Sequence, residues 1–398
     1  MTLNMTRIAT ILFALISMLS YGQQFEFEQV DSLIEQEKYN SAFELLNKMD
    51  PEQQDPEVVL QKTDVALKYF VKSISHQLFA FKDLDDDDDL LDLRESGDGE
   101  SFSMYMFPVN EILDTLLIQF PKKYELNRAL GNFYYEVHLK YGQNWLMEEP
   151  EVLELMYENC KIAVDNGVSD YLTQYCIGYY HVLQEDYNQA ISPFLKSIEL
   201  DTTYPTSYYN LSICYLYTDQ ADKGTKYAVR SIALYDDTSY KSDASRVAAA
   251  LYKQAEDFDN AVKYYKLSDE IQPNNYYTIN QLLELQLDLG LLNDALKTAD
   301  SFFELDPKNP RTCSDLVEIY TITDQEQELL DLFERKIEEY NSDKEIIGNI
   351  YFHIGEYYRR KEEKIKAKEN FLEAKKCFGE VFEKDHYVFQ IIEEALND

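Results

Sequence analysis

Along most of the chain, apolar residues recur at i, i+3 and i+4, the spacing that buries one stripe of an α-helix. The pattern is cleanest over residues 171–309, where it breaks into lengths that repeat. Four units run 171–204, 205–238, 242–275 and 276–309, each about 34 residues long. Small residues hold the eighth, twentieth and twenty-seventh places of the first three: Gly178, Ala190 and Ser197; Ser212, Gly224 and Ser231; Ala249, Ala261 and Ser268. Antiparallel helices approach to about 8 Å only where the crossing side chains are small. Large apolar residues surround the crossings, for example Ile177, Tyr180, Ile191, Phe194 and Ile198. Glu185-Asp186 marks a turn inside the first unit. Asp306-Pro307-Lys308-Asn309 ends the fourth, because proline has no N–H to continue a helix. The fourth unit departs from the rule, with Leu283 at the eighth place and Phe302 at the twenty-seventh. That predicts a hairpin that opens or shifts register, with a change of curvature near Leu283.

These units resemble tetratricopeptide repeats. The resemblance implies an all-α fold, a right-handed α-solenoid of antiparallel helical hairpins. It also implies a concave groove, lined by the first helix of each hairpin, that holds a peptide or a partner helix. Composition agrees: Gly (12) and Pro (10) are few, and β-branched residues nowhere alternate. A solenoid grows by addition, so 398 residues require no domain boundary. The chain is read as a leader (1–22), degenerate hairpins (23–123) with an acidic insertion (82–107), a central array (124–309), and C-terminal repeats with a capping helix (310–398).

The leader has Arg7, an apolar run over 8–19, and Ser20-Tyr21-Gly22 before Gln23. This is the pattern of a secretory signal peptide, too short to span a bilayer. No cysteine stands near it for a lipid anchor, and no second apolar segment follows. The expected product is a soluble periplasmic or secreted protein. A first hairpin then covers 27–49, and 57–81 reads as one long helix with 109–120 as its partner. Between them, the acid run 85–89 lacks the alternation and central glycine of a calcium loop, and reads as a solvated, mobile loop. Residues 142–149, with the only tryptophan, Trp145, form a second insertion. Residues 310–343 are a degenerate repeat. Residues 348–381 recover the pattern through Gly355, Ala367, Phe371 and Ala374, and 383–396 cap the stack.

Asp and Glu total 74 against 37 Lys and Arg, a formal charge of −37. Such a chain repels phosphate backbones and anionic lipid, which excludes nucleic acid as a partner class. Five cysteines show no CxxC or zinc spacing and mostly take apolar repeat positions; Cys160 and Cys176 stand on neighbouring helices, near enough to pair. Five scattered histidines form no HExxH, and no GxSxG, phosphate loop or dinucleotide fingerprint occurs. The reading is non-catalytic, without cofactor or metal.

Carried over from the resemblance, the second, fifth, ninth, twelfth and thirteenth places of each unit face inward. Here they give Arg128 and Asn132, then Tyr175, Tyr179, Tyr209, Ile213 and Tyr217, then Arg246, Asn280, Glu284, Asp288, Glu318, Phe352 and Glu356. The middle of this surface is aromatic and the later part acidic. Tyrosine combines area with a hydroxyl, and an acidic wall favours Lys- or Arg-bearing ligands. The family's carboxylate clamp needs lysines that these places lack. Eight cations, among them Arg359, Arg360, Lys364 and Lys368, crowd the last repeat, read as a solvated face of ion pairs. The sequence thus points to an exported scaffold for a peptide or protein partner in an envelope assembly. A self-assembling structural component is the alternative, and a glycan-binding protein or enzyme the third reading.

Overall fold

The computed structural model describes residues 24–96 and 102–397, so the leader lies outside the described residues. The chain divides into two compact units, one ending at Asn210 and the other starting at Leu211. Both are built from antiparallel helical hairpins.

The first unit opens with α1 (24–35), α2 (Tyr39–Met49) and α3 (Pro56–Tyr69). Asp55 caps α3 by accepting the Glu57 N–H at 2.9 Å. The helix expected to reach residue 81 stops at Tyr69 instead. Beyond it, β1 (Lys72–Ile74), β2 (Leu78–Phe81) and β3 (Ser103–Met106) form an antiparallel sheet in that order, with Ile74 opposite Leu78 and Leu78 opposite Met106. The β1–β2 turn has Ser75 and His76 both at positive φ, 53° and 50°. Three residues, 75–77, join the strands, and the Gln77 N–H closes a tight turn on the Ile74 carbonyl at 3.0 Å. That turn demands this conformation at its two central residues; Asn-Gly is the usual signal, so Ser-His conceals it. Alternation puts Phe79 and Phe81 on one face, with Ala80 buried on the other, and Phe81 stacks on Phe43 of α2 with centroids 4.4 Å apart.

The acidic insertion is also more ordered than its charge suggested. Lys82 pairs with Asp88 at 2.6 Å, and Asp83 accepts the Ser41 N–H at 2.9 Å. Asp89 accepts the Leu91 N–H at 2.8 Å at the start of α4 (Leu90–Ser96). Within the acid run Asp85, Asp86, Asp87 and Asp89 are exposed, and Asp88 is half-buried. After α5 (Val109–Gln119) come α6 (Tyr124–Tyr141) and α7 (Glu149–Asp165), and the second insertion between them meets the β1–β2 turn. Trp145 Nε1 donates to the Ser75 carbonyl at 2.7 Å, locking the hairpin turn.

The clear repeats follow as α8 (Tyr171–Leu183) with α9 (Tyr187–Leu200), α10 (Pro205–Tyr217) with α11 (Ala221–Leu234), α12 (Thr238–Gln254) with α13 (Phe258–Ile271), and α14 (Tyr276–Asp288) with α15 (Leu292–Leu305). The division between units falls within α10. Next come α16 (Pro310–Ile322), α17 (Glu326–Glu339), α18 (Lys344–Arg360), α19 (Lys364–Phe378) and the cap α20 (Tyr387–Asn397).

Three places of the repeat explain the packing. The eighth faces the twenty-fourth: a Cβ on Gly178 would come within 2.8 Å of the Phe194 ring, and one on Gly355 within 2.7 Å of Phe371. In the fourth unit the sizes are exchanged, Leu283 at the eighth place and Ala299 at the twenty-fourth, both fully buried in one cluster. That exchange keeps Leu283 packed, yet α14 and α15 approach each other less closely than α8 and α9 or α12 and α13, in line with the opening expected from the large eighth residue. The twenty-seventh place is chosen for its hydroxyl as well as its size. Ser197 Oγ lies 2.7 Å from Ser207 Oγ on the following helix. The fifteenth place takes the left-handed conformation in every hairpin from residue 171 onward: Glu185, Asp219, Glu256, Gly290, Asp324 and Glu362. All five cysteines are buried as free thiols, Cys160 and Cys176 included.

Candidate partner-binding surfaces

In the first unit, the inward aromatic places are used largely for packing. Tyr175 is only 2% exposed. Its ring stands 5.5 Å from Tyr135, 5.8 Å from Tyr179 and 5.3 Å from Tyr204, and its hydroxyl accepts the Asn210 amide at 3.2 Å. Burial pushes that hydroxyl well above its ordinary pKa. Tyr175 is therefore corrected from a ligand-facing residue to a core residue between successive hairpins. Tyr179 is half-buried, its hydroxyl 3.0 Å from His138 Nε2. Tyr209 is half-buried too.

Arg128 and Asn132 are likewise committed within the unit. Arg128 pairs with Asp170 at 2.7 Å. Asp170 also caps α8, accepting the Thr173 N–H at 2.7 Å. Burial works to raise the Asp170 carboxyl, but the hydrogen bonds from Thr173 and Arg128 prevail and hold it below the usual carboxylate range.

The second unit differs. Ile213 is half-buried, Tyr217 is 63% exposed, and Arg246 reaches back along α12 to Asp243 at 3.0 Å. The acidic places come together: Asn280 and Glu284 of α14 and Glu318 of α16 line one cavity of about 210 Å³. Sequence reasoning missed two further walls of it, Tyr276 and Asp315. They occupy the first and sixth places of their units, outside the inward set. Asp315 precedes Glu318 by three residues on α16, so helical neighbourhood alone would have found it. Two cations balance this wall, Lys253 at 2.8 Å from Glu284 and Arg311 at 3.5 Å from Asp315. The Tyr276 hydroxyl donates to Asp315; burial, and then that carboxylate, pushes it up to about 12. Tyr276 and Asp315 also border a second hollow of about 300 Å³ with Phe302, Leu305 and Asp306. The two hollows share a wall, and the surface suits a cationic side chain next to an apolar one.

Residues 247–275 match the tetratricopeptide repeat family model. Solved structures similar to this chain include a tetratricopeptide repeat protein from Parabacteroides merdae, 14% identical, covering 68% of this chain and 97% of that one with a TM-score of 0.42. PilF of Pseudomonas aeruginosa is 12% identical, covering 55% and 96% with a TM-score of 0.39. YrrB, described as a tetratricopeptide repeat protein with an unusual peptide-binding site, is 15% identical, covering 47% and 95% with a TM-score of 0.36. No curated protein matches the sequence. No helix among the described residues is long and apolar enough to cross a membrane.

Proposed function

We propose that the protein is a non-catalytic, exported scaffold that holds a peptide segment or protein partner on the first helices of its repeats, within a cell-envelope assembly. The second unit takes a basic stretch of that partner. The observation that carries this reading is the cavity shared by Asn280, Glu284 and Glu318 with Asp315. Three carboxylates converge there, and a Lys or Arg side chain from a partner would find partly desolvated acceptors and an aromatic neighbour in Tyr276. Tyr217, the exposed aromatic place, extends the surface. Export rests on the pattern of residues 1–22.

The test is calorimetric titration of the mature chain with a synthetic Ala-Lys-Leu-Lys-Lys-Ala peptide. Binding should weaken about tenfold in a Glu284→Gln/Glu318→Gln variant and with rising salt. Equal binding by the variant would sink the acidic-surface reading. Crosslinking and capture from native envelopes then identifies the partner, and mass spectrometry of the recovered chain should find Gln23 at its N-terminus.

A further inference from the structure

The cations of the last repeat do more than solvate a helix face. Most are neutralised locally: Arg359 pairs with Glu356 at 2.7 Å, Lys366 with Glu363 at 2.6 Å, Lys375 with Glu393 at 3.1 Å and Lys376 with Glu373 at 3.2 Å. Arg360 and Lys368 make no ion pair among the described residues; they line a cavity of about 840 Å³ between α18, α19 and α20. Arg359 and Lys364 complete a basic rim, interrupted by Glu362. The floor is apolar, made by Ala367 and Phe371 of α19 and by Ala395 and Leu396 of α20.

We propose that this cavity is a second docking site, for a short acidic peptide segment of a protein partner that carries a bulky apolar side chain between its carboxylates. The floor calls for the apolar group and the rim for the acids. The volume lies within the usual range of pockets that enclose small ligands, about 300–1,000 Å³. Net charge decides between anions. With a formal charge of −37, the chain repels an extended polyanion or an anionic bilayer that runs past the rim. A segment of a few residues ends inside the basic rim and gains its local field.

The test is fluorescence anisotropy of the full mature chain with labelled Asp-Asp-Leu-Phe-Asp-Asp. Binding should weaken at least about tenfold in Arg360→Glu/Lys368→Glu, and similarly when Ser-Ser replaces Leu-Phe in the peptide. It should be unchanged in Glu284→Gln/Glu318→Gln, which separates this site from the acidic one. The milder Arg360→Gln/Lys368→Gln pair, checked by circular dichroism, covers the case in which charge reversal perturbs α19. Absence of binding, equal binding of hexa-aspartate, or indifference to both double variants would overturn the proposal. So would stronger association with phosphatidylglycerol vesicles than with the peptide.

Discussion

Ser268 and Thr278 share a hydrogen bond of 3.0 Å between their hydroxyls, joining the second helix of one repeat to the first helix of the next. Ser242 completes the link, donating to the Ser268 carbonyl at 3.0 Å. All three residues are buried. Ser268→Ala orphans the Thr278 hydroxyl, while Ser242 keeps its bond to the backbone carbonyl, and should cost about 1–3 kcal/mol in urea unfolding. A double-mutant cycle with Thr278→Val should return a coupling of at least about 0.5 kcal/mol. Additive losses would show that the hydroxyls do not act together.

Glu256 sits in the left-handed region at φ 59°. An L-residue there carries a steric cost that glycine avoids, and the side chain is exposed with no packing to lose. Glu256→Gly should therefore raise stability by about 0.5–1 kcal/mol, read as a higher denaturation midpoint with unchanged slope. A lower midpoint would mean that the carboxylate does structural work.

His76 is fully buried in the β1–β2 turn, with Phe79 stacked against it and Nδ1 2.9 Å from Ser73 Oγ. Burial first, and then the charges of Lys140 and Arg94, push its pKa down to about 4. Arg360 adds to burial in pushing His353 down to about 4 as well. Both are neutral in the folded chain while the unfolded chain protonates near 6.5. The unfolded state thus holds more protons between those values, and stability falls as pH drops from about 6.5 towards 4. His76 accounts for a loss on the order of 3 kcal/mol when complete. His76→Asn, which tolerates positive φ, should flatten that part of the pH–stability curve. An unchanged curve would refute the assignment.

Lys62 is 2% exposed, its Nζ 4.4 Å from the Phe107 ring centre and 5.2 Å from that of Phe43. Burial pushes its pKa down to about 8, against the opposing charge of Asp50. The ammonium is still protonated at pH 7 and is held by ring faces. Lys62→Met keeps the volume and removes the buried charge, so it should stabilise by about 1–2 kcal/mol at pH 7. Because the folded pKa lies below the unfolded one, the native protein should gain stability between about pH 8 and 10.5. Thermal unfolding across that range measures both effects. Destabilisation by methionine would mean that the cation–π contacts outweigh the desolvation.

The hairpins were legible because their signal is periodic: a small eighth place is visible at once in Gly178 or Ala249. The exchange of Leu283 with Ala299 was not, since it requires knowing which two places meet. The sheet escaped for a different reason. Its strands are three or four residues long and its turn is Ser75-His76, so neither length nor turn chemistry stood out. Of the inward residues, Asn280 and the acidic pair Glu284 and Glu318 share a cavity, whereas Tyr175 is core. A tyrosine at a given place packs or projects according to its neighbours, and Tyr135 and Tyr204 decide that for Tyr175.

The left-handed turns inside the hairpins of the second unit are at Asp219, Glu256, Gly290, Asp324 and Glu362, and the four that are not glycine are exposed carboxylates. Each accepts backbone strain that glycine would relieve, and each adds a like charge at the same point of its hairpin. Stacked helices lie about 8–10 Å apart, close to the screening length of about 10 Å in 0.1 M salt. This edge therefore behaves as a row of mutually repelling beads whose spacing responds to ionic strength. Dilute buffer should splay the turns and concentrated salt should draw them together, making the pitch of the unit an adjustable quantity that X-ray scattering can follow.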